Sequence, residues 1–306
     1  MRHARAGRAA LIAVVLLSGF ACTREARPLR LDGRGTPACV DASLEARRAA
    51  ARIVSLLPSV TEILVALGAG DRLVARTDYD TDPTLALLPS VGGGLNPSLE
   101  RLTLLRPDLV VGWSGDHSLD ELARHGVLVY RPQSQTLADV RCTMLRLGRA
   151  LGLETAADSL TGAIDGELAG VRRAVQGRPR PSVFYVVWFD PPMTAGPGTF
   201  LDELIDIAGG QNVFADAPSP WPTVSLEGIV RRQPAVVIVP RGERGAERSA
   251  GLRTTPGWRD LRAVRAGRVM EVDADVFNRP GPRVGKAART LARLLHPEAF
   301  LAAATP

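Results

Sequence analysis

The densest grouping of reactive side chains in this 306-residue sequence is Ser114-Gly115-Asp116-His117, which puts a hydroxyl, a carboxylate and an imidazole within four positions. These are the groups of nucleophilic acyl transfer, yet adjacency along a chain is not the geometry in which an imidazole deprotonates a serine and a carboxylate orients the imidazole. Gly112-Trp113-Ser114-Gly115-Asp116 also lacks the turn pattern that exposes a nucleophilic serine above a sheet. Gly92-Gly93-Gly94 does not pass from a strand into a Gly-Lys-Ser/Thr turn, so no phosphate cradle is indicated. No Cys/His spacing suggests a metal site, and His117 and His125 read as solvated loop histidines. A hydrolase is disfavoured, and no enzyme is expected.

What the loops do carry is aromatic rings. Aromatic residues are only 5% of the chain, and core aromatics belong inside strands and helices. Trp113, Tyr79, Trp221 and Phe277 instead fall in irregular stretches, which points to recognition of a ligand rather than to packing. Pro58, Met193, Asp275 and Arg279 occupy comparable loops. Trp258, after Pro256-Gly257, reads as a packing residue.

The elements that must position these loops are duplicated. Ser98-Leu99-Glu100 precedes Arg106-Pro107-Asp108-Leu109-Val110-Val111, and Ser225-Leu226-Glu227 precedes Gln233-Pro234-Ala235-Val236-Val237-Ile238, with the same serine-to-proline spacing. Each copy predicts a short capped helix, a stop near proline and a buried strand. Upstream, the apolar runs at 52–56 and 181–187 open each half; downstream, 126–130 and 267–272 supply one further strand apiece. The expected fold is α/β: two similar lobes, each with a mostly parallel sheet. Helix formers dominate 137–176, with Gly152 dividing two helices and the second running from about 154 to 176. The expected organisation is an N-terminal lobe at 51–135, a helical segment at 136–178 that includes a stiff interlobe bridge, and a C-terminal lobe at 179–306. Ligands of open α/β sheets sit beyond the carboxyl ends of the strands, so the aromatic loops should meet in an interlobe cleft.

The start of the chain reads as an export signal over 1–21, with basic residues, an apolar run from Ala9 to Leu17 too short to span a bilayer, and small residues before Cys22. Cys22 matches a lipidation site, though Gly19-Phe20-Ala21 also suits a general signal peptidase. Residues 22–50 read as a flexible tether. Export permits disulfides, and Cys39 and Cys142 either pair or remain separate thiols. The net charge of +6 is spread over scattered arginines with few aromatics, which argues against a nucleic-acid partner.

Several motifs together resemble the periplasmic cobalamin-binding proteins, members of the helical-backbone (class III) group of ABC-importer binding proteins. They are Arg52-Ile53-Val54-Ser55-Leu56-Leu57-Pro58-Ser59-Val60-Thr61-Glu62, Asn96-Pro97-Ser98-Leu99-Glu100-Arg101-Leu102, Arg106-Pro107-Asp108-Leu109-Val110-Val111, Pro191-Pro192-Met193-Thr194-Ala195-Gly196, Ala208-Gly209-Gly210-Gln211-Asn212-Val213-Phe214 and Trp221-Pro222. The resemblance covers nearly all of 51–296. It implies that Tyr79, Trp113, Trp221, Asp275 and Arg279 contact a corrinoid, with Pro58 and Met193 near it. It also implies that Glu100 and Glu227 dock onto a permease dimer that works with ATPase subunits, and that cobalamin is cargo rather than cofactor. A monomer held at the membrane in the periplasm is expected. The sequence departs from the pattern at Gly92-Gly93-Gly94, Met193 and Val276, where aromatics stand in the relative compared. Haem and ferric siderophores are the rival cargoes, with Tyr79 or His117 as an axial ligand for the first.

Overall fold

The computed structural model of this chain describes residues 39, 44, 50–242 and 251–301. The export signal and Cys22 lie outside the described residues, as does most of the tether.

In the first lobe, β1 (Ile53–Ser55) leads to helix α1 (Pro58–Ala66) and back to β2 (Leu73–Ala75). A two-residue hairpin, β3 (Gly92–Gly93) with β4 (Asn96–Pro97), precedes α2 (Leu99–Leu105), β5 (Leu109–Val111), α3 (Asp120–Arg124) and β6 (Leu128–Tyr130). Helices α4 (Leu137–Leu151) and α5 (Glu154–Val175) follow.

The second lobe begins with β7 (Ser182–Tyr185) and the hairpin β8 (Trp188–Phe189) with β9 (Pro192–Met193). It continues with α6 (Phe200–Ile207), β10 (Gln211–Asn212), α7 (Leu226–Arg232) and β11 (Val236–Arg241). Short helix α8 (Arg262–Arg265), β12 (Val269–Asp273), α9 (Ala274–Phe277), α10 (Val284–Leu295) and α11 (Glu298–Leu301) complete it.

The two main sheets are wholly parallel and share one topology, β2-β1-β5-β6 and β10-β7-β11-β12. The sequence repeat is therefore a structural repeat. Ser98 caps α2 by accepting from the Arg101 amide, and Ser225 caps α7 by accepting from the Gly228 amide. Both helices end on a non-glycine residue in the left-handed region, Arg106 at φ 45° and Gln233 at φ 42°. That conformation lets each chain reverse into its Pro-led strand.

Strand periodicity explains why the lobes do not separate. Side chains alternate between sheet faces, and one face of each sheet joins a common core. Ile53, Leu109 and Val111 of the first lobe meet Met144, Leu147 and Ile164 of the bridging helices, and the same cluster continues to Val183, Tyr185 and Ile238 of the second lobe. The alternate residues bury into private cores. Val54 and Val110 join Leu56, Leu102 and Leu119 on one side, while Phe184, Val237 and Val239 join Phe214, Ile229 and Trp258 on the other.

The α5 helix has 22 residues and is about 33 Å long; it packs against α4 and α10 throughout this shared core. The stretch after β12, assigned by sequence to the second lobe alone, also reaches back to the first. Arg279 and Arg283 both bond Glu62 on α1, at 3.0 and 2.8 Å. Cys39 and Cys142 are joined in a disulfide with Cα atoms 5.0 Å apart, and Arg149 donates to the Cys39 carbonyl. The bond fixes Cys39 to α4.

Candidate functional site

A cavity of about 440 Å³ opens between the lobes. Its walls come from the loops that leave the carboxyl ends of the parallel strands: Leu57 after β1, Trp113 and Ser114 after β5, and Pro132 to Gln135 after β6. Val187 follows β7, Trp221 follows β10, and Asn278 and Pro280 follow β12. Phe200 and Leu201 at the start of α6 close one side. Parallel strands direct all these loops to one edge of each sheet, so two sheets facing across a common core create the cleft.

The tryptophans are held by different means. The Trp113 loop is tied to the Pro132–Gln135 loop by Arg131, whose guanidinium donates to the Asp116 carbonyl at 2.8 Å and to Asp120 at 2.7 Å. The His117 ring, hydrogen-bonded to Asp120, and then Arg131 hold the Asp120 carboxyl below the usual carboxylate range. Trp221 stands 6.2 Å from the Phe200 ring, centroid to centroid, and the Gly196 amide donates to the neighbouring Pro220 carbonyl at 2.8 Å. Trp113 keeps 44% and Trp221 36% of its surface exposed, high values for such large apolar rings. Gly94 sits where a Cβ would collide with the Leu56 carbonyl and come within 3.9 Å of Trp113 Nε1. No larger residue fits at that point of the turn.

The remaining site residues expected from sequence are dispersed. Pro58 occupies the first turn of α1 and is half-buried. Tyr79 is 62% exposed and lies beside the glycine hairpin, where a Cβ on Gly93 would stand 3.6 Å from its ring. Met193 lies on β9, its carbonyl accepting at 2.9 Å from the amide of Val187, which lines the cavity.

Three residues expected from sequence to face the ligand lie outside the lining of this cavity. Phe277 is 1% exposed and stacks on Tyr185, so it supports the site from within the core. Arg279 spends its donors on Glu62, on Asp275 at 2.8 Å and on the Tyr79 carbonyl at 2.9 Å. Asp275 is committed to that same clasp. The clasp borders a separate cavity of about 400 Å³ lined by Glu62, Asp80, Asp82 and Arg283.

Sequence reasoning missed Gln133, Gln135, Phe200 and Asn278. The first two were findable, because they follow a strand's carboxyl end as Trp113 does. Trp188, 53% exposed on β8, was also overlooked.

The serine, carboxylate and imidazole do not assemble for catalysis. Ser114 lines the cavity, but Asp116 accepts from the Ser118 hydroxyl and amide, while His117 pairs with Asp120 at 3.2 Å. Among the described residues no group of three or more His, Cys, Asp or Glu side chains is arranged to hold a metal ion.

Comparison with known proteins agrees with this geometry. The periplasmic binding protein family matches residues 53–276. A curated relative, an uncharacterized ABC transporter substrate-binding lipoprotein of Bacillus subtilis, is 30% identical over 259 residues, covering 81% of each chain. Among solved structures, the periplasmic vitamin B12-binding protein BtuF of Vibrio cholerae superposes with a TM-score of 0.70 at 29% identity, covering 83% of this chain and 99% of its own. The periplasmic heme-binding protein RhuT of Roseiflexus sp. RS-1 gives 0.73 at 29% identity, covering 82% and 100%. In such proteins the bound small molecule is transported and is not a cofactor. With two parallel-sheet lobes on one bridging helix and an open aromatic cleft between them, this chain belongs to the periplasmic binding protein family of ABC transporters.

Proposed function

We propose that the chain captures cobalamin or a related corrinoid and delivers it to the permease of an ABC importer. The observation that carries this reading is that Trp113 and Trp221 line a cavity wall containing no charged side chain. Aromatic faces suit the apolar faces of a macrocycle. A neutral, amide- and hydroxyl-bearing wall suits peripheral carboxamides, which seek hydrogen bonds without counter-charges.

Haem is the rival because RhuT, a heme-binding protein, shares the fold. Haem carboxylates would favour arginine or lysine, and its iron would favour a side-chain donor. The wall has neither: Arg279 is engaged in the clasp, and Tyr79 and His117 are outside the lining. Anionic siderophores meet the same objection.

Capture implies delivery. Glu100 and Glu227 are exposed in the first turns of equivalent helices, α2 and α7, one per lobe. They would present a matched pair of carboxylates to a permease dimer. Acylation at Cys22 would keep a monomer near that permease, and the Bacillus relative is named a lipoprotein.

Calorimetric titration with cyanocobalamin, cobinamide and haemin tests the reading. Expected is one-to-one corrinoid binding that weakens by about 100-fold in Trp113→Ala and in Trp221→Ala, as for central aromatic anchors. Binding of haemin alone would replace the cargo and leave the transport role.

A further inference from the structure

Three side-chain amides line the cleft, and in two of them, Asn278 and Gln135, a protein partner makes the two ends inequivalent. Tyr185 is buried at 1% exposure, and its hydroxyl lies 2.8 Å from Asn278 Oδ1. Burial pushes the phenol well above its ordinary pKa, so it remains an O–H donor. A buried hydroxyl that failed to donate would leave its hydrogen unmatched, so it donates to the Asn278 carbonyl. Tyr185 is itself held by stacking on Phe277 and by Thr194, whose hydroxyl donates to the Tyr185 main-chain carbonyl at 2.7 Å. With Oδ1 occupied, Asn278 offers Nδ2 to the cavity it lines.

On the other lobe's loop, Gln135 Nε2 donates to the Gly198 carbonyl at 3.3 Å, and the Gln135 main-chain carbonyl accepts from the Phe200 amide at 2.6 Å. Its Oε1 is the end left for the cavity. One wall therefore presents an oriented donor and the other an oriented acceptor, both neutral. A carboxamide has the complementary pair. An ester lacks the N–H, and a carboxylate would set its charge against the Gln135 oxygen.

We propose that Asn278 and Gln135 together read a carboxamide on the bound ligand, Asn278 donating to its oxygen and Gln135 accepting from its N–H. This rests on the corrinoid reading and names the peripheral group that the cleft selects. Tyr185 is a positioning residue in it, acting through Asn278.

The test is calorimetry of the parent and its variants with dicyanocobinamide, which carries peripheral carboxamides, and with dicyanocobyrinic acid heptamethyl ester, which carries esters. The parent should prefer the amide form by about tenfold, the worth of one hydrogen bond with its desolvation. Gln135→Ala should abolish that preference by weakening binding of the amide form about tenfold. Asn278→Leu should weaken both ligands by about tenfold. If that variant fails to fold, Asn278→Ser reads the same loss. Tyr185→Phe should weaken both ligands and add nothing once Asn278 is already replaced, the coupling expected of residues acting in series.

Tight cobinamide binding by the parent, with Gln135→Ala and Asn278→Leu both within about twofold of it, the scatter expected of uncoupled sites, would overturn the assignment and leave the corrinoid reading standing. Silence of the parent toward both corrinoids overturns that reading, and the assignment with it.

Discussion

The two lobes carry one plan in two chemistries. Sheet order, serine cap and left-handed helix stop coincide, whereas the private cores diverge. The first lobe fills its core with aliphatic residues such as Val54, Leu56, Leu102 and Leu119; the second uses the rings of Phe184, Phe214 and Trp258, with Phe184 5.7 Å from Phe214 and 5.9 Å from Trp258. The site is equally uneven, since one lobe contributes Trp113 and a glutamine loop and the other Trp221, Phe200 and Asn278. What duplication preserved is the backbone device that aims loops at a common edge; what diverged is the content of those loops. Scaffold and specificity are separable here.

The largest expected effect sharpens the contrast between the cores. Trp258→Ala should cost about 3–5 kcal/mol, and Leu102→Ala about 2–5 kcal/mol, in urea unfolding. Because the lobes share the central core, both variants should lower one common transition rather than split it; two resolved transitions would mean that the lobes unfold independently.

A smaller effect tests an asymmetry. The Cys39–Cys142 disulfide closes a sequence separation of 103 residues and has no counterpart in the second lobe among the described residues. Reduction, or Cys142→Ser, should lower stability by about 2–4 kcal/mol by releasing the unfolded chain. Corrinoid affinity should be unchanged, because neither cysteine lines the cleft.

The equivalent positions should behave alike. Ser98→Ala and Ser225→Ala should each cost about 1 kcal/mol as lost helix caps, and unequal costs would break the equivalence. Smallest of all, Arg106→Gly and Gln233→Gly should each gain up to about 1 kcal/mol by relieving the left-handed conformation, measured as paired shifts in Tm.

The architecture was legible because its signals are local and repeated. Identical serine-to-proline spacing identified the duplication, and continuous apolar runs identified strands buried on both faces. Gly152 marked the break before α5. Trp113 and Trp221 were legible as cleft residues because large rings in loops have no local structural reason to be there, and both line the cavity. The burial of Phe277 was not legible: its loop is short and folds into α9, which turns the ring inward against Tyr185. The engagement of Arg279 was not legible, because its partner Glu62 lies 217 positions away.

The sequence by itself determined the elements, their order and their duplication, since helix caps, stops and apolar strand runs act over a few residues. Only the tertiary structure decided which loop residues share a cavity, which charges neutralise one another across the lobes, and which end of Asn278 and Gln135 remains free. These depend on distances between segments far apart in the chain, and on hydrogen bonds whose direction is set by a buried partner rather than by any neighbour in sequence.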